Sequence, residues 1–206
     1  MAGRKLPKGE VYHSVDLDPT CQRVLLGHNP VHVFKDILQL LKLPVRIAVQ
    51  RVMKEKEAHV QQLLAESQNS DTPKQKKQQL KSDLKEVGEG VLKSLMECMD
   101  QFSDKDFFQA TAACYKHPDG AGSCQIFPDK VETLDGEGAG SKEYFMAGTS
   151  CTDWSSMGTM TSLAGSTVLP FAVELQIVKR RRPRVFFHEC TRNFRPTILA
   201  QYLEGF

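Results

Sequence analysis

Four residues of this chain combine a reactive type with a place where chemistry can be done. Cys151 follows the apolar run Glu143–Ala147, and Glu189 follows the run Arg184–Phe187. Asp16 and Asp36 follow two shorter β-like runs, Val11–Val15 and Val31–Phe34. An ionised thiol is a nucleophile, and a carboxyl group accepts or delivers a proton. In open α/β sheets ligands bind beyond the carboxyl ends of the strands, so four strand ends carrying Asp16, Asp36, Cys151 and Glu189 point to one ligand-binding edge. Each residue also has a plain structural reading. A lone cysteine after a strand is usually packing, a loop glutamate is usually solvated, and the two aspartates suit helix caps.

A second set of reactive side chains carries less. Cys114, His117 and Cys124 suggest zinc, but no fourth ligand is evident and the spacing matches no standard set, so the expected site contains no metal. The run Lys179–Arg184 suits nuclear localisation or phosphate contact, or equally the charged end of a helix before a strand. Lys74, Lys76, Lys77 and Lys81 read as the solvated face of a helix, with phosphate binding as the alternative.

The elements that must position these residues fall into three parts. Residues 11–38 read as strand, helix, strand, with the helix through Cys21, Val24, Leu25 and Leu26. Residues 44–103 are helical and polar, a predicted hairpin of two amphipathic helices. The first carries Ala48, Val49, Val52, Met53, Val60, Leu63 and Leu64 at helical spacing, and the second Leu80, Leu84, Val87, Val91, Leu95, Met99 and Phe102. Thr72 and Pro73 look like the N-cap and first residue of that second helix, and Gly88 and Gly90 weaken its middle. A linker region, 104–143, ends in the glycine-rich stretch Asp135–Gly140. Residues 144–206 return to α/β: strand 143–147, helix 169–178 with Glu174 and Gln176 on its polar side, strand 184–187, and a last helix from Pro196.

Composition limits the function classes. The 206 residues are 40% hydrophobic and 25% charged with a net charge of +2, which excludes a wholly disordered chain, a polycation and an acidic tail. The longest uncharged stretch, 154–173, is rich in Ser, Thr and Gly and contains Pro170, so no membrane span is expected. No apolar core follows Arg4, Lys5 and Lys8, so secretion is not expected, and the six scattered cysteines suit reduced thiols in the nucleus or cytoplasm, the nucleus ahead.

Four blocks, in order, resemble the cytosine-C5 DNA methyltransferase family. Ala147-Gly-Thr-Ser-Cys-Thr-Asp-Trp-Ser-Ser-Met-Gly158 is similar to its nucleophile motif, and Arg182–Phe194 to its Glu motif with the preceding Pro and apolar strand. Val15-Asp-Leu-Asp18 and Lys35-Asp-Ile37 resemble its two acidic strand ends. The resemblance covers about 11–38 and 144–205. It implies an incomplete Rossmann-like methyltransferase sheet with a long helical-hairpin insertion. It also implies methyl transfer from S-adenosyl-L-methionine to cytosine in DNA, with RNA as the lesser alternative. In that scheme Cys151 adds to C6 of a flipped cytosine and turns the ring into an enamine reactive at C5, while Glu189 holds N3. Asp16 accepts from the cofactor ribose, Leu17 and Ile37 flank the adenine, Asp36 accepts from its amino group, and Ser150 adjoins the cofactor beside the nucleophile.

The departures are specific. Ser150 stands where the family has Pro, Thr152 where it has Gln, and Cys190 where Asn follows the catalytic Glu. No Phe-x-Gly-x-Gly precedes Val11 and the later motifs are missing, so the chain reads as a fragment or degenerate relative, expected to be inert alone. The rival reading, from another class, is a non-catalytic interaction module built on the hairpin, taking a helical partner through residues 45–102. If the resemblance holds, strands 144–147 and 184–187 must lie parallel and adjacent, joined through the helix near 169–178.

Overall fold

The computed structural model describes residues 13–15, 18–117, 124–127, 144–148, 151–155 and 160–204. In chain order the elements are β1 (His13–Val15), α1 (Pro19–Gly27), β2 (His32–Phe34), α2 (Leu43–Gln68), α3 (Lys74–Asp100), α4 (Asp104–Phe107), β3 (Thr111–Ala112), β4 (Cys124–Gln125), β5 (Tyr144–Gly148), α5 (Val168–Arg181), β6 (Val185–Glu189) and α6 (Thr197–Tyr202). The fold is mixed α/β. The chain divides into two compact units, one from residues 1–42 and 108–131, the other from 43–107 and 132–206. The described strands make three separate pairs: β1 with β2 and β5 with β6, both parallel, and β3 with β4, antiparallel. No described strand joins the two parallel pairs into the single sheet that the resemblance implies.

In the first unit, α1 crosses between β1 and β2. It is capped by Asp18, whose Oδ1 accepts the Thr20 and Cys21 N–H groups at 2.6 and 3.1 Å. Asp36 does the same for a 3₁₀ turn over Ile37–Leu40, accepting the Leu38 N–H at 2.8 Å. The stretch predicted as linker supplies β3 and β4, and it is tied to the N-terminal segment by backbone. Tyr115 N–H donates to the Val33 carbonyl at 2.9 Å, Gln109 N–H to Leu40 at 2.8 Å. The Gln109 side-chain amide reaches the carbonyls of Gln39 and Leu41.

The second unit is built on helices. Much of the hairpin's expected apolar face is buried: Val49, Val60 and Leu63 of α2, and Leu80, Leu84, Val91, Leu95 and Met99 of α3; Ala48, Val52, Met53, Leu64, Val87 and Phe102 are half-buried, and Leu92, outside the expected set, is buried. Neither α2 nor α3 is apolar enough to cross a membrane, and the same is true of every described helix. Thr72 does not cap α3. Its hydroxyl donates to the Glu66 carbonyl at 2.9 Å, closing the end of α2, and α3 begins after Pro73 without a side-chain cap. Gly88 is a point of close approach: a Cβ there would stand 2.6 Å from the Ala164 nitrogen and 2.7 Å from the Leu163 carbonyl carbon. A glycine that looked like a weakness in a helix is what lets another backbone lie against it.

Helix α5 corrects the expectation of a polar side. Glu174 and Gln176 are buried with the rest of its middle. The Gln176 amide donates to Asp100 at 2.8 Å, and Arg180, stacked 4.0 Å over the Phe107 ring, donates to the carbonyls of Met99 and Phe102. Lys179 pairs with Asp100 and Arg180 with Asp104. Two of the basic residues before β6 thus join α5 to α3 and α4.

Candidate functional site

Strands β5 and β6 pair in parallel from Tyr144 with Val185 to Gly148 with Glu189, and α5 is the helix between them in sequence. This is the arrangement expected of the two motif strands. β6 runs two residues further than the sequence indicates, so His188 and Glu189 are strand residues rather than loop. Glu189 is its last residue and is exposed. Its carboxylate lies over Gly148, where a Cβ would meet Oε2 at 3.2 Å. Three residues beyond Gly148 the chain turns into a short 3₁₀ segment, Cys151–Asp153. Cys151 opens that turn by its backbone; its side chain lies outside the described part.

Residues that the sequence did not single out hold the two loops. Asp153 is 2% exposed and accepts from the Thr161 hydroxyl at 2.8 Å and from the Thr167 hydroxyl and N–H at 2.6 and 2.9 Å. It thereby pins the turn after β5 to the start of α5. Gly165 is required beneath it, since a Cβ would fall within 2.2 Å of the carboxylate oxygens. Asn193, in the segment after β6, donates its amide to the Trp154 carbonyl at 2.9 Å and so ties the two strand-end loops together. Trp154 packs edge-on against Phe194 at 4.9 Å, and Phe194 against His188 at 4.7 Å. His188 Nδ1 lies 2.7 Å from Glu174 Oε1, a buried pair behind the strand end. Burial, partly offset by His188, raises the Glu174 carboxyl above its ordinary value.

Of the residues expected at the cofactor, Asp16, Leu17 and Ser150 lie outside the described residues. Asp36 and Ile37 stand at the end of β2, both half-buried. The N–H that Asp36 accepts occupies one of the roughly four acceptor positions of a carboxylate, so it retains the capacity to accept from an adenine amino group.

A separate constellation lies in the first unit. His32, from β2, meets Cys114, His117 and Cys124, with one donor atom of each within 4.8 Å of all the others. Cys114 Sγ is 3.3 Å from His117 Nδ1 and 3.9 Å from His32 Nδ1; Cys124 Sγ is 3.4 Å from His117 Nδ1 and 3.5 Å from Cys114 Sγ. Burial, then the neighbouring His117 and Lys116, lowers the His32 pKa, while burial and the Cys114 thiol raise that of Cys124. His32 is the fourth donor that local spacing did not supply. Its one signal in sequence was a histidine opening the buried strand pair Val33-Phe34.

Comparison of the chain with protein-family models, with curated proteins and with solved structures yields no match.

Proposed function

We propose that the chain is a relative of the S-adenosylmethionine-dependent cytosine-C5 methyltransferases, acting on DNA, with a Rossmann-like origin for its two parallel strand pairs. The observation that supports this most is the in-register pairing of Gly148 with Glu189 across parallel strands, with Cys151 three residues beyond. Two motif strands ending at the same level support a reading in which a thiol and a carboxyl group approach one pyrimidine from two sides. The Cys151 thiolate attacks C6, and Glu189 hydrogen-bonds N3 and relieves the charge that the addition creates. Asp153 joins the turn after β5 to the start of α5, and Asn193 joins it to the segment after β6. S-adenosylmethionine, when bound, would supply an electrophilic methyl group.

A DNA duplex with 5-fluorocytosine at the target position tests the reading, because a fluorine at C5 stops the reaction after methyl transfer with the thiol still attached. With S-adenosylmethionine present, a denaturant-resistant adduct that is lost in Cys151→Ser is the outcome that supports the catalytic reading. An adduct that survives Cys151→Ser removes Cys151 as nucleophile. No adduct together with no cofactor binding by calorimetry overturns the catalytic reading.

A further inference from the structure

We propose that His32, Cys114, His117 and Cys124 form a structural zinc site that closes the first unit. This inference stands apart from the methyltransferase reading and survives its failure.

The geometry is that of a coordination shell. Zinc takes sulfur at about 2.3 Å and nitrogen at about 2.0–2.1 Å, and a tetrahedron with those radii has sulfur–sulfur edges of about 3.8 Å and sulfur–nitrogen edges of about 3.5 Å. Three sulfur–nitrogen separations, 3.3, 3.4 and 3.9 Å, lie on either side of the expected edge, and the sulfur–sulfur separation of 3.5 Å is a little shorter than its edge. The two sulfurs are too far apart for a disulfide, whose bond is about 2.05 Å. Two thiolates and two neutral imidazoles match a divalent ion in charge, and a two-sulfur, two-nitrogen tetrahedron selects zinc among common metals. All four positions come from the protein, so the site is closed and its role is folding rather than catalysis.

The local backbone presents the ligands. Tyr115 N–H bonds to Val33 at 2.9 Å, and Lys116 Nζ donates to Asn29 Oδ1 at 2.8 Å and to the Pro30 carbonyl. These contacts seat the turn carrying Cys114 and His117 beside the strand carrying His32, while Ala112 pairs with Cys124 across β3 and β4. His32 and Cys114 are 82 residues apart in sequence. The unit consists of residues 1–42 and 108–131, smaller than the roughly 70–80 residues at which a hydrophobic core alone gives secure stability. A metal that joins its two segments supplies what that core lacks, because closing a long loop removes much of the freedom of the unfolded chain.

Metal analysis and cobalt substitution of the full chain test this. Purified under reducing conditions, the protein is expected to hold one zinc per chain. Stripped and refilled with cobalt(II), it is expected to show the visible bands of a tetrahedral ion together with thiolate charge transfer. Cys114→Ser should lower zinc from one per chain to none, His32→Ala should change the cobalt spectrum, and Cys98→Ser should alter neither. If Cys114→Ser fails to fold, thiol titration of the unaltered protein decides: zinc should protect two thiols, and a chelator should release them. A chain that stays zinc-free after reconstitution, a cobalt complex without thiolate bands, protection of no thiols, or an unchanged spectrum in His32→Ala overturns the proposal.

Discussion

The two units repeat one local pattern, a strand, a helix and a parallel strand, and hold it by different means. In the second unit the crossover helix α5 is buried through its middle, Phe171 to Val178. In the first, α1 buries only Gln22, while Val24 is 58% exposed and Leu26 38%. One helix is a core element and the other a surface bridge. In the second unit the crossover helix therefore adds apolar area removed from water. In the first the apolar core is made without the helix, from Val33, Phe34, Leu40, Leu41 and Ile126, and the caps at Asp18 and Asp36 and the Gln109 and Lys116 hydrogen bonds add to it. Matching sequence rhythms do not imply matching energetics.

The sharpest way to break this comparison is to truncate one side chain on each crossover helix. Phe171→Ala is expected to cost about 3–5 kcal/mol, from lost burial and the cavity left against Phe194 and His188. Val24→Ala should stay within about 0.5 kcal/mol. Denaturant midpoints of the two variants measure the difference, and equal losses would remove the distinction between the helices.

A smaller effect is expected at Gly88. Alanine there must push Leu163 and Ala164 backbone aside, at about 1–3 kcal/mol, although an exposed helical glycine replaced by alanine normally stabilises. Gly90, on the same helix with nothing within 4 Å of its Cβ position, is the internal control and should gain slightly. Thermal unfolding of the two single variants gives the sign of each.

The smallest effect is a slope in pH. A carboxyl whose folded pKa is raised contributes stability that is complete below its unfolded value, near 4.5, and is lost as pH rises through the folded value. Glu174 should therefore make the second unit less stable as pH climbs from the acid side, in opposition to the benefit of its pairing with His188. Glu174→Gln keeps a polar group against His188 without ionising, so its stability should vary less across that window. Unfolding curves of both proteins over a pH series test the sign; an unchanged slope would mean that the Glu174 ionisation is not felt.

Much of the local structure was legible in the sequence. The hairpin helices follow from apolar residues every three or four positions, and the strands β5 and β6 from short apolar runs bounded by turn residues. Their parallel pairing followed from the expected crossover. Other features depended on groups far apart. Thr72 closes the end of α2 instead of capping α3, because the Glu66 carbonyl lies within reach of its hydroxyl. Glu174 and Gln176 look like a polar face, yet each finds a buried partner, His188 and Asp100. The stretch that read as linker contributes two paired strands and two cysteines to the first unit.

Sequence by itself determined which stretches become helix or strand, since propensity and periodicity act among residues a few positions apart. It also placed Cys151 and Glu189 just after or at the ends of two strands. Tertiary structure alone decided that Gly148 faces Glu189, that Asp153 and Asn193 hold the loops, and that His32 completes a set begun at Cys114. The physical reason is that long-range partners are selected by burial and loop closure over the whole chain. A polar or metal-binding side chain takes whichever group the packed backbone brings within about 3–4 Å, and spacing along the chain does not record that choice.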